Sequence, residues 1–261
     1  MGQAKGTGSQ RAGTALLALA LPLCLAACAS GTGSAPGIND PLEPMNRAVH
    51  GLNKGLDTVL VSPGADAYGV VPNPLRQGLS NVADTLALPG SFANHLLQGN
   101  VEGAGRNAAQ FAVNVVFGLG GLVDVATEAG IPRDKTDFGE TLHVWGVGEG
   151  PYLELPLLGP STARDAVGEA VDIAFDPLNA VFEGDDAVAV RVIKLLSRLN
   201  DRKRYSNTVD SILYDSADSN AQARLLYLQN RRFELGQTDG SSDGAAGEGG
   251  FIDPYEDPYG Q

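Results

Sequence analysis

The chain has 261 residues, 43% of them apolar, with 18 basic against 31 acidic side chains and a formal charge of −13. That balance speaks against nucleic-acid binding, which needs a basic face, and against simple electrostatic adsorption to anionic lipid. Length and apolar content suit one sizeable globular domain.

In chain order, Lys5 and Arg11 precede an apolar run from Thr14 to Leu25 that closes in Leu25-Ala26-Ala27-Cys28. A weakly basic start, a core of about a dozen residues and small residues before a cysteine make a secretory signal, too short to span a bilayer. The segment resembles a bacterial lipobox. That resemblance implies a diacylglyceryl group on the Cys28 sulfur, cleavage after residue 27 and acylation of the new amine. One acyl chain holds a protein only marginally at about 0.8 kcal/mol per CH₂, whereas three anchor it firmly. Ala29, where sorted lipoproteins can carry an aspartate, favours the outer membrane. An ordinary cleaved signal with a structural Cys28 is the competing reading. Cys24 leaves with residues 1–27, so a mature chain with a lipidated Cys28 has no thiol for a disulfide or metal site. Losing Lys5 and Arg11 leaves 16 bases against 31 acids, a formal −15.

Residues 28–39, rich in Ser, Gly and Thr, form a tether. The body is expected over 40–235, and its start and stop signals are helical. Asp40-Pro41-Leu42-Glu43 reads as a capping box with Asp40 as N-cap. Asn73-Pro74 opens a second helix whose Leu75, Leu79, Val82, Ala83 and Leu86 share a face before Pro89-Gly90 stops it. From Asn100 to Ala126, Val101, Ala104, Ala108, Phe111, Ala112, Val115 and Val116 form an apolar stripe. Asn107, Gln110 and Asn114 form an uncharged polar one. No charge lies between Arg106 and Asp124, so this helix is either enclosed by others or set in lipid. It should not span, because Gly118, Gly120 and Gly121 interrupt it and the polar stripe is costly in hydrocarbon. The stripe either lines a passage for something amphipathic or belongs to a core helix whose amides are bonded internally. The best strand candidate, Tyr152 to Pro156, is short and stopped by proline. Ser161 begins a helix with Ala163, Ala166, Val167, Ala170, Val171 and Ala174 on one face and Arg164, Asp165, Glu169 and Asp172 turned away. The fold class is all-α, in a single domain.

Arg191, Lys194, Arg198 and Arg202, followed by Lys203 and Arg204, make a basic stripe. It is either a solvated face or a contact for headgroups or an acidic partner. Residues 236–261, with six acids and no base from Gln237 onward, read as a disordered tail; Phe251, Ile252, Tyr255 and Tyr259 could make it a docking motif.

Catalytic signatures are scarce. His50, His95 and His143 lack metal-ligand spacing, so no metal or cofactor is expected. There is no G-x-S-x-G elbow, and Gly146 to Gly150 is a turn rather than a dinucleotide loop. No seryl hydroxyl has a histidine partner identifiable in the sequence, so the chain is not expected to be an enzyme.

Several segments together carry a family likeness. They are Asp40 to Arg47, Val71 to Asn81, Leu97-Gln98-Gly99, Asn114 to Ala126, Phe138 to Leu142, Gly146 to Tyr152 and Leu155 to Asp165, and in that order they resemble the MlaA/VacJ lipoproteins. The likeness is close to about Asp176, looser to Phe233, and departs after Phe182 and in the tail. It implies a ring-like helical body in the inner leaflet of the Gram-negative outer membrane, beside trimeric porins. It also implies an amphipathic channel that passes mislocalised outer-leaflet phospholipid to a periplasmic lipid-carrier protein and so maintains lipid asymmetry. On that reading Asn107, Gln110, Asn114, Gly118, Gly120, Gly121 and Asp124 border the channel. A structural envelope lipoprotein without transport activity, or a phospholipase, are the alternatives.

Overall fold

The computed structural model describes residues 38–236. The signal, Cys28, nearly all of the tether and the acidic tail beyond Gly236 lie outside these. Helix α1 (Glu43–Leu56) runs through a π-helical turn (Asp57–Val61) into α2 (Ser62–Tyr68). Then come α3 (Asn73–Leu97), α4 (Val101–Val116), α5 (Val125–Glu128) and α6 (Phe138–Val144). A two-stranded antiparallel hairpin, β1 (Tyr152–Leu155) and β2 (Gly159–Thr162), pairs Tyr152 with Thr162. It leads into α7 (Ala163–Ala174), a 3₁₀ turn (Pro177–Ala180), α8 (Gly184–Arg204), α9 (Ser206–Asp210) with a π turn (Ser211–Asp215), and α10 (Ser219–Glu234). The fold is all-α with one small hairpin. Among the described residues, no helix is long and apolar enough to cross a membrane.

What distinguishes the packing is its polarity. Among the described residues, 8 buried side chains are apolar and 21 are polar or charged, the reverse of a water-soluble domain. On α4 the polar stripe faces in, with Asn107, Gln110 and Asn114 at 0%, 2% and 3% exposure. Val101 and Val116 of the apolar stripe stand 74% and 68% exposed. Helix α7 is inverted in the same way: Arg164 and Asp165, placed away from the apolar face, are buried, while Val167 and Ile173 are exposed. Such an interior holds together only if its polar groups bond one another.

They do. Asn107 donates to the Asp134 carbonyl at 2.7 Å and accepts from the Asp134 amide at 3.1 Å. Asn46, fully buried on α1, donates to Asp40 and to the Tyr152 carbonyl and accepts from the Glu154 amide at 2.9 Å. Seven residues on, Asn53 donates to the Leu155 carbonyl and accepts from the Leu157 amide. Together Asn46 and Asn53 seat the hairpin on α1.

Three expectations are corrected. Asp40 is not a cap: α1 begins after Leu42 without a side-chain cap bond, and the Asp40 carboxylate is engaged by Asn46 and Arg224. Helix α3 does not stop at Pro89-Gly90 but continues to Leu97. Pro89 deletes one ladder bond, and the last turns are held from outside: Ser91 donates to the Thr136 carbonyl, Asn94 to Asp172, and His95 meets the Asp134 carbonyl. Ser161 does not start α7; it lies in β2, and Thr162 caps the helix by accepting from the Asp165 amide at 3.2 Å.

Helices α6 and α7 touch at glycines. A Cβ on Gly168 would lie 2.3 Å from the Gly139 nitrogen, and one on Gly139 would lie 2.5 Å from Asp165 Oδ1. This contact brings α7 and its acids against the N-terminus of α6.

Candidate functional site

Two cavities adjoin across one side chain, Asp172 of α7. The first, about 460 Å³, lies among the hairpin, α7, α8 and α10; its charged lining is Asp137, Asp165, Glu169, Asp172, Glu234, Arg198 and Arg231. The second, about 500 Å³, lies between α3, α6 and α7 and is mostly apolar, with Leu86, Leu97, Phe138, Val171, Phe175 and Pro177 among its walls and Lys194 at its edge. A charged space thus opens beside an oily one.

The dividing carboxylate is fixed from both sides. Asp172 accepts from Asn94 Nδ2 at 3.0 Å and from the Phe138 amide at 2.9 Å, and burial nonetheless raises its pKa above the ordinary value. Asp165 is held more tightly. Its Oδ1 accepts from Arg231 and Arg164, and its Oδ2 from Tyr227 and Thr162. Burial alone would raise it, but the Arg231 guanidinium and the Tyr227 hydroxyl outweigh that and keep it below the usual carboxylate range. Arg231 also reaches Asp137 at 2.7 Å, the N-cap of α6. At the edge of the apolar cavity, Lys194 pairs with Asp176 at 2.7 Å.

The basic stripe proves mixed. Arg202 is clamped by Asp57 and Asp210, and Lys203 by Asp66. Arg191 and Arg198 are exposed on the same helix, Arg198 at the wall of the charged cavity.

The sequence-derived channel residues gather elsewhere and only in part. Gln110, Asn114 and Asp124 line a third cavity, of about 200 Å³, together with Asp84, Thr85 and Arg133. Asn107 and the three glycines are not part of its lining. Asn114 accepts from the Ala126 amide and donates to Asp124, both at 2.9 Å, so it folds the loop after α4 back onto the helix. Asp124 caps α5; burial works to raise its pKa, and hydrogen bonds from Thr127 and Asn114 bring it below the usual value. Leu119 and Gly120 take positive φ in the turn, and Gly118 and Gly121 are packed too closely for a Cβ. Gln110 makes one long bond, 3.4 Å to Thr127 Oγ1, and its carbonyl oxygen is buried without a partner.

Sequence reasoning does not reveal the two-cavity site, although the pattern of α7 puts Glu169 and Asp172 on the face that borders it. A second finding corrects the expectation that no serine meets a histidine. Ser219 Oγ lies 3.0 Å from His50 Nε2, and His50 Nδ1 lies 3.3 Å from Glu154 Oε1. Tyr152 and Asn53 also bond that carboxylate. No group of three or more His, Cys, Asp or Glu able to hold a metal occurs among the described residues.

Comparison with known proteins gives a consistent answer. Residues 38–234 match the family model described as MlaA lipoprotein. The chain is 33% identical to the "Intermembrane phospholipid transport system lipoprotein MlaA" of Escherichia coli (strain K12), over 94% of both chains, and equally so to that of Shigella flexneri. A solved structure described as "Structural basis for maintenance of bacterial outer membrane lipid asymmetry" superposes with a TM-score of 0.62 at 30% identity, covering 75% of this chain and 98% of the other.

Proposed function

Because the chain belongs to the MlaA lipoprotein family, we propose that it acts in intermembrane phospholipid transport as an outer-membrane lipoprotein anchored through Cys28. It removes misplaced phospholipid from the outer leaflet, passes it to a soluble periplasmic carrier beside a trimeric porin, and breaks no bond in doing so. One observation carries this reading: large apolar side chains stand on the exterior while the interior is polar, and the charged cavity adjoins an apolar one at Asp172.

The physics favours such a path. Taking a headgroup through hydrocarbon unaided carries a large desolvation cost. A polar interior replaces that hydration. A phospholipid's acyl chains, about 30 CH₂ groups at roughly 0.8 kcal/mol each, would cost on the order of 25 kcal/mol to expose to water. The apolar cavity and the oily exterior keep them covered until the carrier takes over. In this scheme Gln110, Asn114 and Asp124 border a side chamber, and Asn107 with Gly118, Gly120 and Gly121 shape the helix and turn that frame it.

The test is the amount of outer-leaflet phospholipid, read with a membrane-impermeant amine-reactive label, in cells lacking the gene and in a Cys28→Ala strain. A rise in both, reversed by the unaltered gene, is expected; no rise with porins intact would favour a structural envelope role.

A hydrolytic reading has one observation behind it, the Ser219–His50–Glu154 chain, whose order of hydroxyl, imidazole and carboxylate is that of an activated nucleophile. His50 and Glu154 are each 5% exposed, and Glu154 also serves Tyr152 and Asn53, so the chain reads first as part of the clasp between α1, the hairpin and α10. Lysophospholipid among the products, abolished by Ser219→Ala, would reverse that order.

A further inference from the structure

We propose that the charged cavity selects phospholipids by headgroup, admitting those that pair a phosphate with an amine and holding back those that carry the phosphate alone. This rests on the lipid-transport reading above.

Charges in this cavity are unmatched. Five carboxylates line the cavity against two guanidiniums. Arg231 is engaged by Asp137, Asp165 and Glu234. Asp172 is held by Asn94 and the Phe138 amide. That leaves Arg198 on α8 and Glu169 on α7, which line the same space and make no ion pair or side-chain hydrogen bond among the described residues. A free guanidinium is the side chain best shaped to take a phosphate. A free carboxylate in an acidic surround is the natural seat for an ammonium. Together they complement a zwitterion such as phosphoethanolamine. A glycerol-phosphate headgroup meets the same Arg198 but brings an uncompensated negative charge into a cavity that already has three more carboxylates than cations. Like-charge contact among five carboxylates discriminates more than it binds, most of all at low salt. The adjoining apolar cavity points to a lipid rather than a soluble phosphate ester as the source of the headgroup.

The experiment uses the full acylated chain in vesicles of equal phosphatidylethanolamine and phosphatidylglycerol, each lipid supplied in turn with a photoreactive group in its acyl chain. Adducts to α3 and α7 are counted by mass spectrometry. Phosphatidylethanolamine adducts should exceed the other about tenfold, equivalent to about 1.4 kcal/mol. Glu169→Lys should reverse the preference, and Arg198→Gln should reduce both adducts. Neither side chain holds the fold, so helicity should be unchanged in each variant. Equal adducts in the unaltered chain, or a ratio that Glu169→Lys leaves in place, would overturn headgroup selection alone. Absence of adducts from both lipids would overturn the lipid passage itself. Soluble phosphoethanolamine, lacking chains, should not compete; competition would assign the cavity to a soluble ligand.

Discussion

Replacing Asn114 by leucine separates a latch from a lining. Its side chain is 3% exposed, accepts from the Ala126 amide and donates to Asp124, both at 2.9 Å. Leucine, of similar size, leaves that amide buried without a partner, since Ala126 is fully buried, and deprives a carboxylate of a donor. An orphaned amide costs about 1–3 kcal/mol and a bond to a charged group about 1.5–3 kcal/mol, offset by about 1 kcal/mol of added apolar burial. The net is a loss of about 3 kcal/mol. For a body of this size that lowers the unfolding midpoint by about 6–12 °C, readable by circular dichroism in a non-ionic detergent, with faster amide exchange at Ala126. Gln110→Leu is the comparison. Its single 3.4 Å bond and unpartnered carbonyl leave little to lose, so its midpoint should move by less than about 1 kcal/mol's worth. If the stripe borders a lipid path, Gln110→Leu slows transfer at unchanged stability. An Asn114→Leu protein that melts with the unaltered chain, or a Gln110→Leu protein that melts as early as Asn114→Leu, would refute the reasoning.

Gly168→Ala should lower stability by about 3 kcal/mol through overpacking against Gly139, whereas Gly148→Ala, with open space around it, should leave the melting curve in place. Acid should destabilise the fold. Asp57, Asp124 and Asp165 have folded-state pKa values below their ordinary ones, so their contribution is present above about pH 4 and lost as pH falls through the folded values. Asp218, held by Arg47 down to about 2, adds little because that pair is exposed. Burial raises Glu140 and Asp172, so their opposing cost is relieved by the same acid. A midpoint that stays level from pH 5 to pH 2 would show that the lowered group does not dominate. Finally, Val116→Asp on the exposed apolar face should leave the fold intact but weaken membrane retention of a Cys28→Ala protein by about 2–3 kcal/mol, measured by sedimentation with vesicles; undiminished retention would place this face outside lipid.

Helices α1, α3, α4 and α7 were legible because periodicity and Asn-Pro or Gly punctuation are local signals. What periodicity does not carry is the sign of the surroundings. The two stripes of α4 are equally regular, and only the packing shows that Asn107, Gln110 and Asn114 face the protein while Val101 and Val116 face out. The same blindness affected α1, where Asn46, His50, Asn53 and Asp57 repeat at helical spacing. That stripe was a readable sign of a second polar seam. The capping role given to Asp40 failed because Asn46 and Arg224 make a competing offer from far along the chain. The continuation past Pro89 was invisible for the same reason, since Asn94 and His95 find their partners at Asp172 and Asp134.

An inverted interior changes what stabilises the fold. In water the apolar exterior would drive association, and the buried amides and ion pairs would contribute only modestly, because water competes for them in the unfolded chain. In a bilayer the exterior is already solvated, and an unsatisfied amide is far more expensive. Bonds such as Asn107 to Asp134 and Asn46 to the hairpin then define the structure. Rigidity of that kind is what a charged cavity needs. Asp165 is set by four donors, from Arg164, Arg231, Tyr227 and Thr162, and Arg231 by three acids, so neither is free to collapse onto a passing headgroup. The side chains left to answer the proposed headgroup are those the fold does not use, Arg198 and Glu169.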